Sequence, residues 1–263
     1  RVKGDSIIKL QQLAQTENNW SHAYGKGLKL SALKQAIREL VITSEKRVEQ
    51  FDFRHIQSIG HSKSFMATNK ASCASRYHDA LHWGRSLYEG DNLKFTTEQD
   101  FDDNRDHILS EGTLTGKFIE VQYYDWCNRY NWANTGGSHH AAALLYQIID
   151  QKRHLNCPAN ITSFHLNAKA MKDVQNDFHL IVATDRCKKA QECFYLTLFL
   201  TEMQIQFSSL PFPGYHTGLL LFAIPKKQRR GIDAPLSLWI GEQKQHHHLI
   251  DFCDLVTQPQ HFF

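Results

Sequence analysis

The pattern of apolar and polar positions changes character twice along the chain. In the first third, Leu33, Ile37, Leu40, Val41 and Val48 recur at helical spacing, which predicts an amphipathic helix starting from Ser31 as N-cap. A second helix is predicted over Ser75–Tyr88, stopped by Gly90, and Glu98–Asp106 reads as a solvated acidic helix or loop. From Gly116 the period drops to two. Lys117–Tyr124 and Arg129–Ala133 read as strands joined by a hairpin turn at Asp125–Asn128. A Gly136-Gly137 turn follows, then an apolar helix over Ala141–Ile149 whose end carries Lys152 and Arg153, as the helix dipole favours.

The final third mixes the two periods. Strands are predicted at Ile161–Leu166, Phe178–Ala183, Gly218–Ile224 and Leu236–Ile240, with a helix over Lys188–Met203 and a Pro-Phe-Pro turn ending at Pro213. His247–Val256 is apolar enough to dock as a last strand. The fold class expected is α+β, in one domain over 1–263. Its first 110 residues would be mainly helical, packed on a small mixed sheet in 111–263 that carries the Gly136–His140 turn.

Composition narrows the classes. The chain has 263 residues, 41% hydrophobic, with 30 Lys+Arg against 27 Asp+Glu, which excludes a disordered chain and gives no strong pull toward nucleic acid or membrane. The longest apolar run, Gly218–Ile224, falls far short of the ~18 residues of a membrane helix. Arg1–Leu10 lacks the apolar centre of a signal peptide, and the six scattered cysteines form no CxxC pair, so reduced thiols in a cytoplasmic protein are expected.

The window from Phe118 to Gln147 carries most chemistry. A glycine-rich turn opening a helix is an anion site, because the first N–H groups have no helical partner and face the positive end of the dipole. Gly136 and Gly137 let a phosphate approach, Ser138 supplies a cap or an oxyanion donor, and His139 and His140 supply donors and a proton carrier near neutral pH. This strand, hairpin, Gly137-Ser138-His139-His140 box and Ala-rich helix resemble the ParB/sulfiredoxin-like fold over about 35 residues. The resemblance implies a nucleotide or phosphorylated small molecule as partner, Mg²⁺ with any triphosphate, and hydrolysis of a nucleotide or phosphodiester by His139, His140 and Ser138. His140 stands where that family has Arg, and Arg129 is the nearest cation in sequence that could compensate. Ser138 stands where sulfiredoxins place their reactive Cys, so sulfinic acid reduction is not implied. Tyr124 and Trp132 would wall a base.

Other constellations compete. His78 and His82 lie at i and i+4 on one helix, a spacing that suits a metal, with Asp79 in the position of a general base. Cys127 precedes His139 closely enough for a thiol nucleophile and its base, as in a bacterial effector or toxin enzyme. Cys73, Arg76 and Arg85 lie on the N-terminal helices as further phosphate partners. Lys226–Arg230 is a short basic patch that could meet nucleic-acid phosphates. A protein that acts only by interaction, with the box a plain turn, is the third reading.

Overall fold

A computed structural model describes residues 9–15, 21–24, 30–60, 79–90, 93, 97–110, 118–184, 192–211, 219–228, 231–246 and 249–257. The class is α+β, with two five-stranded sheets among the described residues. The chain divides into two compact units, Thr43–His165 and the described parts of Ile8–Ile42 with Leu166–Phe262.

In the first unit the strand order is β2 (Val41–Asp52), β6 (Asn156–Leu166), β4 (Ile119–Tyr124), β5 (Arg129–Trp132), β3 (Ile56–Ile59). The hairpin is as its sequence predicts: β4 and β5 run antiparallel with Tyr124 opposite Arg129, joined by a 3-10 turn over Asp125–Cys127 and by Asn128 at φ 51°. β4 and β6 are parallel, from Ile119 opposite Ala159 to Tyr124 opposite Phe164. One sheet face carries Ile119, Val121, Ala159 and Ile161, packed with Trp83 of α3 (Ala80–Gly90), Phe101 and Ile108 of α4 (Glu98–Ser110) and the buried run Ala141–Leu145 of α5 (Ser138–Asp150). Small residues let α3 and α5 meet backbone to backbone. A Cβ on Gly84 would lie 2.0 Å from the Ala142 carbonyl oxygen.

The second unit holds the order β1 (Ser21–Tyr24), β8 (Phe207–Pro211), β9 (Leu219–Pro225), β7 (Phe178–Thr184), β10 (Ile250–Asp251), each neighbouring pair antiparallel. Its core joins Ile181, Phe207 and Phe222 to Leu196 and Leu200 of α7 (Glu192–Glu202) and Leu236 and Ile240 of α8 (Asp233–Gln245).

Several expectations are corrected. The helix read over 31–48 is α2 (Leu30–Arg38) followed by the strand β2. Leu33, Ile37 and Leu40 are the buried stripe, while β-branched Val41, Ile42 and Thr43 favour extended backbone and Val48 falls in register only by an accidental seven-residue step. Ser31 therefore sits inside the helix and does not cap it. The first 110 residues, beside helices α1 (Gln11–Gln15) to α4, also contribute the strands β1, β2 and β3. Leu236–Ile240 belongs to helix α8, whose first turn tolerates Pro235. The tail has only the two-residue β10 before α9 (Phe252–Thr257), because Asp251 Oδ1 accepts from Cys253 N–H at 2.8 Å and starts the helix.

Candidate functional site

The turn read from the sequence is built as a helix start. Ala133 N–H donates to Glu120 O at 2.9 Å, which ends β5 against β4. Gly137 then takes φ 62°, ψ 18°, a left-handed conformation in which a side chain would be strained, and α5 begins at Ser138. The first helical bond is Ala141 N–H to Gly137 O at 2.9 Å, and the N-cap residue, a glycine, makes no side-chain capping bond. The N–H groups of Ser138, His139 and His140 thus precede any helical acceptor.

Two buried asparagines shape the turn. Asn134 donates from Nδ2 to Gly136 O at 3.0 Å. Asn104, on α4, donates from Nδ2 to His140 O at 3.2 Å and sets Oδ1 2.9 Å from His140 Nδ1. A carbonyl only accepts, so the amide NH2 must face it and the amide oxygen must face the ring. In the neutral imidazole the proton therefore sits on Nδ1, which leaves Nε2 as the basic atom. The His107 ring lies over His140 with centroids 3.7 Å apart. His139 is exposed and meets the Trp83 ring edge-on at 5.0 Å. The sequence singled out His139 and His140. It missed Asn104, which lies in the stretch Glu98–Asp106 that reads only as acidic, and His107 just after it, both of which α4 brings to His140.

The other predicted site residues fall elsewhere. Arg129 is at the far end of β5 from the turn, with Nη1 buried and without a hydrogen-bond partner, so it is no substitute for the missing box arginine. Trp132, at the turn end of that strand, is three residues on, about 10 Å of strand rise. Cys127 is in the hairpin with Sγ 3.7 Å from Tyr124 O, at the same far end, so the structure does not bring it to His139. Tyr124 and Trp132 are core residues and wall nothing: Tyr124 stacks on Phe164 and Trp132 meets Phe53 edge-on. His82 is exposed on α3, and His78 lies outside the described residues. Asp79 Oδ1 accepts from His82 N–H at 2.7 Å as a helix cap, not as a general base. No group of three or more His, Cys, Asp or Glu suited to a metal occurs among the described residues. Cys73, Arg76 and the arginines of the Lys226–Arg230 patch also lie outside them. Gln228 in that patch is a structural tie, bonding Gln206 through both amide atoms.

At the hairpin edge a different histidine is in place. His165 Nδ1 lies 3.2 Å from Asp125 Oδ2, and its Nε2 lies 3.3 Å from Ser44 Oγ. Tyr123 is nearby, its phenol pushed above the ordinary range by burial and by Tyr130, Asp125 and Cys127. Ser44 and His165 are 121 positions apart, so no spacing rule applies to the pair.

Comparison with known proteins gives a family. Residues 46–261 match the family described as a family of unknown function (DUF6685), and the chain belongs to it. No curated protein and no solved structure matches the chain. Among the described residues, no helix is long and apolar enough to cross a membrane.

Proposed function

We propose that this DUF6685 protein is a cytoplasmic protein that binds a phosphorylated ligand, with nucleotides as the first class to test, at the amino end of α5. The observation that carries the reading is the helix start behind the left-handed Gly137, a cap residue with no side chain, set beside the Asn104-held His140 and the exposed His139. Backbone N–H groups, the helix dipole and imidazole donors converge there on one point, which is the chemistry an oxyanion requires. The local order β4, hairpin, β5, turn, α5 is the piece on which the resemblance to ParB/sulfiredoxin-like proteins rests. Hydrolysis of the bound phosphoester, with His139 or His140 carrying the proton, is the reaction that goes with it. Mg²⁺ would arrive on the phosphates of a triphosphate, since the described residues offer no metal cluster of their own.

Thermal shift with ATP, CTP, GTP and inorganic phosphate, with and without Mg²⁺, tests the reading. A ligand that binds the native state raises the midpoint by mass action. The shift should vanish in Gly137→Val, where a β-branched residue would have to hold φ 62°, and shrink in His139→Ala. Asn104→Ala should weaken it too, by releasing both the carbonyl and the ring of His140. No shift in the wild-type protein with any of these ligands rejects the proposal.

A further inference from the structure

We propose that Ser44, His165 and Asp125 form a nucleophilic serine site that acts on acyl esters, separate from the turn and independent of the phosphate reading. The atoms are ordered for it. Asp125 Oδ2 can only accept, so the imidazole proton faces it from Nδ1 at 3.2 Å. Nε2 then presents its lone pair to Ser44 Oγ at 3.3 Å, and the hydroxyl donates along that line. A base held in one tautomer by a carboxylate and aimed at a hydroxyl is the arrangement that activates serine.

The placement supports the same conclusion. β4 and β6 are parallel, and Asp125 and His165 each lie one residue beyond the last opposed pair, Tyr124 and Phe164, at the carboxyl ends of these strands. The turn lies at the other edge, since Trp132 opposes Val121, and four residues of strand separate that row from Asp125, about 13 Å of rise. Ser44 is exposed and the His165 side chain keeps 43% of its surface, so a substrate can reach Oγ. An exposed row of this kind contributes little to stability. The fold therefore does not require these three residue types in this order.

In the reaction, Oγ bonds to the ester carbonyl carbon as Nε2 takes its proton. The carbon–oxygen bond to the alcohol breaks, and Nε2 returns that proton to the leaving oxygen. Water, deprotonated by the same nitrogen, then attacks the acyl-serine, releases the carboxylic acid and restores Ser44. Ser44 and His165 are the catalytic residues; Asp125 is a positioning residue.

The test uses the full chain with p-nitrophenyl acetate and a fluorophosphonate probe, in which the Oγ–P bond forms as the P–F bond breaks. Mass spectrometry should find a single adduct on Ser44. Ser44→Ala should abolish it and His165→Gln should slow it by about 100-fold or more. Asp125→Asn should slow it by about tenfold or more and Asp125→Glu should recover part of the rate, a rescue that a purely structural role would not give. Each variant should keep the wild-type thermal midpoint, because all three side chains are exposed or half-exposed. Cys127→Ser should react as wild type. Absence of the Ser44 adduct, label spread over other serines, esterase activity surviving Ser44→Ala, or loss in Cys127→Ser would each overturn the proposal.

Discussion

Gly84→Ala probes the contact that holds α5, and hence the turn, in place. The added methyl would lie 2.0 Å from Ala142 O, 2.7 Å from Ala142 C and 3.1 Å from Tyr146 Cβ. The first two atoms are backbone and cannot rotate away. Restoring an ordinary carbon–oxygen separation requires α3 and α5 to move apart by roughly 1 Å, a gap at which a quarter to a half of each dispersion contact is lost. The seam lies among Ala141, Ala142, Leu145 and Trp83, all essentially without solvent contact. Overpacking of this kind costs about 1–3 kcal/mol, and a contact with fixed backbone belongs at the upper end. Replacing a helical glycine by alanine returns about 1 kcal/mol, so the expected net loss is about 2 kcal/mol. Urea unfolding followed by tryptophan fluorescence measures it, with Trp83 reporting from the seam. Gly241→Ala is the control. That glycine lies in α8 with nothing within 4 Å of its added methyl, so the same substitution there should stabilise by up to about 1 kcal/mol. A Gly84→Ala protein as stable as the wild type, or more so, would refute the close approach of the two helices.

Two further outcomes follow from buried titratable groups. Burial first, then Lys226 and Lys244, depress His179 to about 4 against the opposing pull of Asp251. The unfolded chain binds this proton at higher pH than the folded one, so stability is complete above the ordinary histidine value of 6.5 and is lost as pH falls toward about 4. His179→Gln should flatten that limb in acid unfolding monitored by circular dichroism; an unchanged limb would contradict it. Burial pushes the Cys157 and Cys253 thiols up to about 12, so iodoacetamide at neutral pH should modify both far more slowly than a free cysteine while the protein is folded, and readily in urea. Peptide mass spectrometry reads the difference, and native-state labelling at the free-thiol rate would contradict the burial.

The hairpin and the turn were legible because their signals are local. Alternation over Ile119–Tyr124, a four-residue turn and Gly136-Gly137 before an alanine run each fix one backbone conformation. The first third misled because Val48 stands seven residues, two helical turns, after Val41 and so extends a helical stripe, and only sheet pairing makes the segment a strand. Leu236–Ile240 misled in the opposite way: a short apolar run fits either period, and α8 is settled by packing on Phe222 and Ile224. Within the candidate site, His139 and His140 were visible beside their glycines. Asn104 was not, since its partner lies 36 residues away on another helix. Ser44, His165 and Asp125 were still less so, because strand register alone places them in one row.

The division of the chain also sets an order of events during synthesis. Among the described residues the first unit is the single stretch Thr43–His165, while the other unit is assembled from segments on either side of it. Within the first unit Ser44 meets His165, and within the second Asn167 N–H donates to Leu40 O at 2.8 Å. A growing polypeptide therefore completes the first unit before the strands that finish the second, β7 to β10, have left the ribosome. The early helix α2 has only α1 (Gln11–Gln15) packed against it until its other partner, α6 (Ala168–Asp177), is made. That interval is when a nascent chain of this family most needs chaperone cover.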